Sequence, residues 1–513
     1  MGARPWWEPA VVYQVYPRSF QDTNGDGIGD LPGITRRLDY LAWLGVDAIW
    51  LSPIFNSPMA DFGYDVADYR DVDPIFGSLA DLDALVAQAH RRGIRVLLDF
   101  VPNHTSDRHP WFVESRSSRV NPRRDWYIWR DPRPGGGPPN DWQSAFRGSA
   151  WEWDEATGQY YFHSFLKEQP DLDWTNPAVR EAMHEVLRFW FRRGVDGFRI
   201  DVIDLLAKRA ELLPMRPGQR QVWGDQRRIH DLIGGIRRVA DEFGGRLLIG
   251  EVWLPLKKLV TFYGRDLSGL HLPFNFQLLL VRWSAAQLGA TIARYEALLP
   301  SGAWPNWVLG NHDRPRIASR VGDEQARVAA MLLLTLRGTP TLYYGDELGM
   351  RNANIPPESI RDPQGLRGGH SRDPERTPMR WDGSARAGFT MGEPWLPIGE
   401  DVTRVNVAAQ QADPRSMLEL HRRLLALRRA EAALTAGRWA GIAAAGDLLA
   451  YERIGGAERF AVALNLGDGE TDADIQGRRG RIALSTALDR DGERASDRVR
   501  LRANEGVVIR IDR

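Results

Sequence analysis

Eight short runs of β-branched and aromatic residues, most of them separated by stretches of helical periodicity, constrain this chain more than any other feature. The runs are Val11–Tyr16, Ala48–Leu51, Arg95–Val101, Phe198–Val202, Leu247–Val252, a weaker one near Leu270–Phe276, Trp307–Leu309 and Thr341–Tyr344. Helical patterns at Ile34–Leu44, Leu79–Arg92, Pro177–Arg193, Gln226–Phe243 and Gln325–Arg337 fall between most of them. Parallel neighbours are reached only by crossover, so this alternation predicts parallel pairing. Eight such units close into an α/β fold, the (β/α)8 TIM barrel, whose active site lies at the C-terminal ends of the strands.

The alternation breaks twice. Residues 104–173 are rich in Pro, Gly and Trp, as in DPRPGGGPPNDWQ, and predict an irregular subdomain inserted after the third strand. Residues 347–397 form a second long segment crowded with Pro, Arg and Asp. Long irregular loops inside a compact domain are usually functional, and both of these leave from strand ends. After a helix at Pro414–Arg429, the runs Leu448–Arg453, Arg459–Asn465, Arg481–Ala487 and Gly506–Ile511 follow one another without helices. They predict a C-terminal antiparallel β-domain. The expected division is 1–103 and 174–432 for the barrel, with a lid at 347–397, 104–173 for the insertion and 433–513 for the last domain.

Composition excludes several functions. Lys plus Arg equals Asp plus Glu at 67 each, without the basic excess of a nucleic-acid binder. The absence of cysteine excludes disulfides and thiolate catalysis. The longest apolar run, Val328–Leu336, is too short to span a membrane, and the first residues lack a signal-peptide core. A cytoplasmic enzyme acting on a neutral partner, with neither nucleic acid nor membrane involved, is the expectation.

The acids at strand ends carry the chemistry. In GFRIDVI, Arg199 and Asp201 are two apart and share one strand face. An isolated Arg-x-Asp is usually a structural ion pair; at the end of a barrel strand it instead provides a carboxylate that the guanidinium keeps ionised, as a nucleophile requires. The next strand, LLIGEVW, ends at Glu251 and Trp253. Adjacent strands lie about 4.8 Å apart, so Asp201 and Glu251 approach the separation of roughly 5 Å found in retaining glycosidases. Neighbouring anions and desolvation by Trp253 are expected to hold a proton on Glu251. WVLGNHD brings His312 and Asp313 to the same mouth, and DFVPNHT brings Asn103 and His104.

In DTNGDGIGD, Asp22, Asn24, Asp26 and Asp30 recur around glycines, with the Ile28 carbonyl between them. Oxygen donors so spaced suit Ca²⁺ or Mg²⁺ in a structural, non-catalytic role, although the closing Glu of a helix-loop-helix calcium loop is absent.

DFVPNHT, GFRIDVI, IGEVW and GNHD, in that order, resemble the four conserved regions of the α-amylase family of glycoside hydrolases. QPDLDW (Gln169–Trp174) resembles the QPDLNW motif of its oligo-1,6-glucosidase and α-glucosidase branch, with Asp173 in place of Asn. The likeness runs from YQVYPRSFQDTNGDGIGDL to the C-terminal domain. It implies Asp201 as nucleophile, Glu251 as general acid/base and Asp313 as stabiliser of the transition state. Asp61 and Tyr64 of DFGYDV, His104, Arg199, His312 and Arg376 would shape the pocket for a terminal glucose. Val202, following the nucleophile, is the branch's mark of α-1,6 preference. The implied protein is a retaining, exo-acting α-glucosidase that releases glucose from short oligosaccharides or disaccharides. It leans to α-1,6 links and leaves α-1,4 and α-1,1 links open. Segment Ala207–Gln226 is short relative to the family, which implies a more open leaving side. The alternatives are a glucosyl-transferring relative of the trehalose synthase or sucrose isomerase type, and, remotely, a non-enzymatic transporter heavy subunit.

Overall fold

A computed structural model of the chain describes residues 4–208 and 228–512. Eight parallel strands form one sheet: β1 Val12–Val15, β2 Ala48–Leu51, β3 Arg95–Phe100, β4 Gly197–Ile200, β5 Leu247–Val252, β6 Leu272–Asn275, β7 Asn306–Val308 and β8 Thr339–Tyr343. The spatial order β6-β5-β4-β3-β2-β1-β8-β7 brings β6 beside β7, so the ring closes by packing there without a registered ladder. This is the predicted TIM barrel.

Period-two alternation sorts the strand residues between two cores. Val12, Ala48, Trp50, Leu97, Leu247, Ile249, Leu272, Phe274 and Val308 fill the barrel interior. Tyr13, Ile49, Leu51, Val96, Leu98, Phe198 and Leu248 face outward against the helices. Two residues beyond the inner layer on the same faces stand Gln14, Asp99, Arg199 and Glu251. The apolar interior is therefore the floor on which the polar site rests. Register fixes the neighbours: Asp99 on β3 and Ile249 on β5 both oppose Arg199 on β4.

Several elements depart from expectation. The helix anticipated at Ile34–Leu44 is two, Leu31–Arg36 and Leu38–Leu44, broken at Arg37. It starts early because Asp30 caps it, accepting from the Gly33 N–H at 2.7 Å. The fourth strand ends at Ile200, since Val202 adopts φ 33°, ψ 46°, outside any strand geometry. The start of the helix expected at Gln226–Phe243, and nearly all of Ala207–Gln226, lie outside the described residues.

Within 104–173 three antiparallel strands, in the order Trp129–Arg130, Gln159–Phe162, Trp151–Asp154, pack around aromatic side chains. Within 347–397 the backbone is irregular, with single turns at Pro357–Ser359, Pro363–Leu366 and Asp373–Glu375. The last domain holds six antiparallel strands, not four. Arg438–Ala445 and Arg494–Leu501 escaped the sequence reading, the first because RWAGIAAA is poor in strand formers and the second because RASDRVRL is largely exposed and charged. Arg481–Ala487 is the end of a longer strand, Thr471–Ser485.

Candidate active site

At the C-terminal end of the barrel a cavity of about 410 Å³ is lined by Asp61, Tyr64, His104, Asp201, Val202, Glu251, Trp253 and Asp313, among others. Eight separated sequence segments supply these walls.

Arg199 is the hub. Its guanidinium donates to Asp201 at 2.6 Å, Glu251 at 2.5 Å and Asp99 at 2.9 Å, and it is 1% exposed. The sequence reading had Arg199 keep Asp201 ionised. Burial instead dominates and pushes Asp201 well above the usual carboxylate range; Arg199 opposes this, and the charges of Glu251 and Asp99 add to it. One guanidinium divided among three buried acids does not offset the burial of Asp201, whose carboxyl is biased toward its protonated form. Asp99 is itself pushed up to about 6, chiefly by burial, against the pull of Arg199.

Glu251 accepts from the Val202 N–H at 3.0 Å and from the Trp253 indole at 2.6 Å. Trp253 was expected to act by excluding water; it acts as a donor, its ring fixed by stacking on Phe276 at 4.0 Å. Val202 itself adopts a left-handed backbone, a strained state for a β-branched residue.

The deep end of the cavity is closed by charge. Arg372, from the lid, donates to Asp61 at 2.7 Å, Asp362 at 2.6 Å and Asp313 at 3.2 Å. Burial works against ionisation of Asp313, but its contact with His312 and the positive charges of Arg372, Arg376 and Arg199 more than offset it and hold the carboxyl far below its ordinary range. Burial raises Asp61, with Arg372 opposing. Tyr64 contacts His312 at 2.7 Å, and burial lowers His312 to about 3. His104 is lowered by burial to about 4 and donates to the Tyr64 carbonyl at 3.0 Å. Both imidazoles are neutral at physiological pH and position neighbours without adding charge.

Arg376, expected to touch substrate, does not line the cavity. It lies behind Asp313, donating to it at 2.9 Å and to the His312 carbonyl at 2.7 Å. Arg199 and His312 are likewise seated behind the lining. Sequence reasoning assigned no role to Arg372, Gln169, Asp99 or Asp204. Gln169 donates to Asp61 at 3.3 Å. Asp99 was legible as an inward strand position two residues after Leu97, but Arg372 sits in a loop whose sequence carries no period.

The Asp22–Asp30 loop lies apart from the cavity. Asp22 accepts from the N–H groups of Asn24, Gly25 and Gly27 and from the Thr390 hydroxyl, Asn24 from the Asp26 N–H, and Asp26 from the Ile28 N–H. Asn24 and Asp26 keep further lone pairs, whereas the four acceptor sites of Asp22 are all taken by protein donors. Among the described residues no group of three or more His, Cys, Asp or Glu side chains could hold a metal ion. A cation here would therefore rely on Asn24 and the Ile28 carbonyl as well.

Paired acids at strand ends around a shared guanidinium, over a dead-ended polar cavity, define a barrel glycoside hydrolase. Residues 14–437 match the family described as alpha amylase, catalytic domain, and the chain belongs to that family. It is 45% identical over 497 residues to a probable alpha-glucosidase of Rhizobium meliloti, covering 91% of this chain and 90% of that one. An oligo-1,6-glucosidase of Parageobacillus thermoglucosidasius is 41% identical over 472 residues, covering 83% and 84%. Among solved structures, an alpha-glucosyl transfer enzyme superposes with a TM-score of 0.94 at 39% identity, over 99% of this chain and 100% of that one. The protein is an enzyme, a glycoside hydrolase acting on α-glucosides. No helix among the described residues is long and apolar enough to cross a membrane.

Proposed function

We propose that the chain is a retaining, exo-acting α-glucosidase that releases glucose from the non-reducing end of short α-glucosides by double displacement. One observation carries the reading: Arg372 bridges Asp61 and Asp313 in the wall of the cavity that Asp201 and Glu251 also line. A sealed end admits a chain terminus and no more. As positive charge develops at the anomeric carbon, Asp201 is favoured as the anion and bonds to that carbon, while Glu251 donates a proton to the leaving oxygen as its bond to the carbon breaks. Water then enters on the leaving side, and Glu251 takes its proton. Asp313, held ionised by arginines, steadies the oxocarbenium-like charge.

Val202 on the cavity wall supports a lean to α-1,6 links. One such contact discriminates by only about 1–3 kcal/mol, so α-1,4 and α-1,1 substrates stay within reach. Likeness to an alpha-glucosyl transfer enzyme favours a second reading, in which a sugar replaces water as acceptor. Isomaltose, maltose, trehalose and sucrose, supplied separately, distinguish the two. We expect mainly glucose, released as the α-anomer, fastest from isomaltose. A rearranged disaccharide as principal product, or β-glucose, would reject the proposal.

The same reading puts the enzyme in the cytoplasm, with a structural Ca²⁺ or Mg²⁺ on the Asp22–Asp30 loop. A chelator should then lower the melting temperature and leave the kcat of still-folded enzyme unaltered. An unchanged melting curve would remove the ion.

A further inference from the structure

Gln14 has no place in that scheme, yet it stands fully buried on the inner face of β1, among the strand residues that carry the site. A buried amide is costly unless it is hydrogen-bonded. The amide nitrogen of Gln14 meets Ser52 Oγ at 3.1 Å and His312 Nδ1 at 2.7 Å.

The second contact decides how His312 behaves. Its ring stacks on Tyr64, with centroids 5.5 Å apart, and on Tyr16 at 5.8 Å, so its plane is held. Its other nitrogen, Nε2, lies 2.7 Å from the Tyr64 hydroxyl and 3.3 Å from Asp313 Oδ2. The Tyr64 hydroxyl gives its own hydrogen to Asp99 at 3.2 Å, and Asp313 is ionised, so both groups facing Nε2 accept. A neutral imidazole has one N–H and one acceptor nitrogen. Here the N–H sits on Nε2, and Nδ1 needs a donor. Burial, together with Arg376, Arg199 and Arg372, keeps the ring neutral against the pull of Asp313. Those arginines direct their hydrogens to carboxyls and to the His312 carbonyl, and Gln14 is the side chain that meets Nδ1. Turned over, the amide would set its oxygen against Nδ1 and draw the proton there, leaving the Nε2 lone pair against the Asp313 carboxylate.

We infer that Gln14 is a positioning residue for the terminal sugar: by donating to Nδ1 it holds His312 as the Nε2–H tautomer, which in turn aligns Asp313 and Tyr64 on the cavity wall. This rests on the glycosidase reading above.

Histidine labelled with nitrogen-15, with His312 identified by its loss in His312→Asn, reads the tautomer by NMR. The unaltered enzyme should show a protonated Nε2 and a bare Nδ1. In Gln14→Met, which keeps the length and loses the donor, the Nδ1 resonance should shift, and kcat/KM should fall roughly tenfold. The fall should be equal for isomaltose and p-nitrophenyl α-glucoside, which share the terminal glucose. The aryl leaving group hardly needs a proton, so an equal fall excludes an effect through Glu251. Gln14→Glu can donate only while its carboxyl is protonated, so its kcat/KM relative to the parent should decline from about pH 5 to about pH 8. A merely structural role would move neither the tautomer nor that ratio. A proton on Nδ1 of the unaltered enzyme, a fall confined to one substrate, or parental kcat/KM in both variants overturns the inference. If the unaltered enzyme cleaves neither substrate, the glycosidase reading fails, while the nitrogen resonances still decide the tautomer.

Discussion

Arg199 donates to three carboxyls at once, and the consequences are specific to each. Asp201 and Glu251 draw on the same guanidinium, so removing either acid leaves Arg199 to be divided between the other and Asp99. Asp201→Asn should reduce turnover by about a thousandfold or more, without loss of cooperative melting. Glu251→Gln should lose disaccharide hydrolysis on a similar scale, yet still form its covalent intermediate from α-glucosyl fluoride, whose leaving group needs no proton. Fluoride release as slow as disaccharide cleavage would argue against the acid role. Glu375, at the lid base, offers a test of burial alone. Burial pushes it up to about 8, and among the described residues Asn352 is the one side chain that donates to its carboxyl, at 3.0 Å. The folded state thus binds this proton more tightly than the unfolded one. The stability it contributes is full below its ordinary pKa near 4.5 and is lost as pH rises through about 8. Glu375→Gln should therefore melt close to the parent at about pH 4.5 and several degrees above it at about pH 9. An equal difference at both would show that Glu375 titrates normally.

Among elements, β4 has the least freedom. It must bring Arg199 level with Asp99 and the Val202 N–H to Glu251, and then release the chain. Its first residue shows how tightly it is held: a Cβ on Gly197 would come within 2.3 Å of the Leu247 carbonyl oxygen and 2.9 Å of a Leu97 methyl. Neither backbone nor buried leucine gives way cheaply. Gly197→Ala should cost about 1–3 kcal/mol in urea unfolding and shift the strand that bears Arg199 and Asp201. KM and kcat should both worsen. Full activity with unchanged stability would mean that the strand is looser than its contacts imply.

At the scale of the whole molecule, two buried arginines join the C-terminal domain to the barrel. Arg428, on the last barrel helix, donates to the carbonyls of Leu334, Leu336 and Gly338 just before β8 and to that of Leu434 in the C-terminal domain, and Arg453 to those of Thr335 and Gly437. Replacing Arg428 with Met orphans several buried carbonyls, each costing about 1–3 kcal/mol. Calorimetry should then show a lower melting temperature while KM is retained, because the site lies at the opposite ends of the strands. A large rise in KM would show that the two ends are coupled.

What could be read along the chain follows from local period. Strand β5 was bounded at Leu247–Val252, as observed, and the inward faces carrying Arg199 and Glu251 were legible because alternation by two needs no knowledge of partners. The acids of the site were legible for the same reason: they end strands. Arg372, the recess of Arg376 and the break after Ile200 were not, since each depends on which distant group stands opposite. Residue order along the chain determined a parallel barrel and the strand ends at which its acids gather. Only the folded arrangement decided which cation serves which acid, because charge and burial act through space, where Arg372 and Asp61, 311 positions apart, lie 2.7 Å from one another.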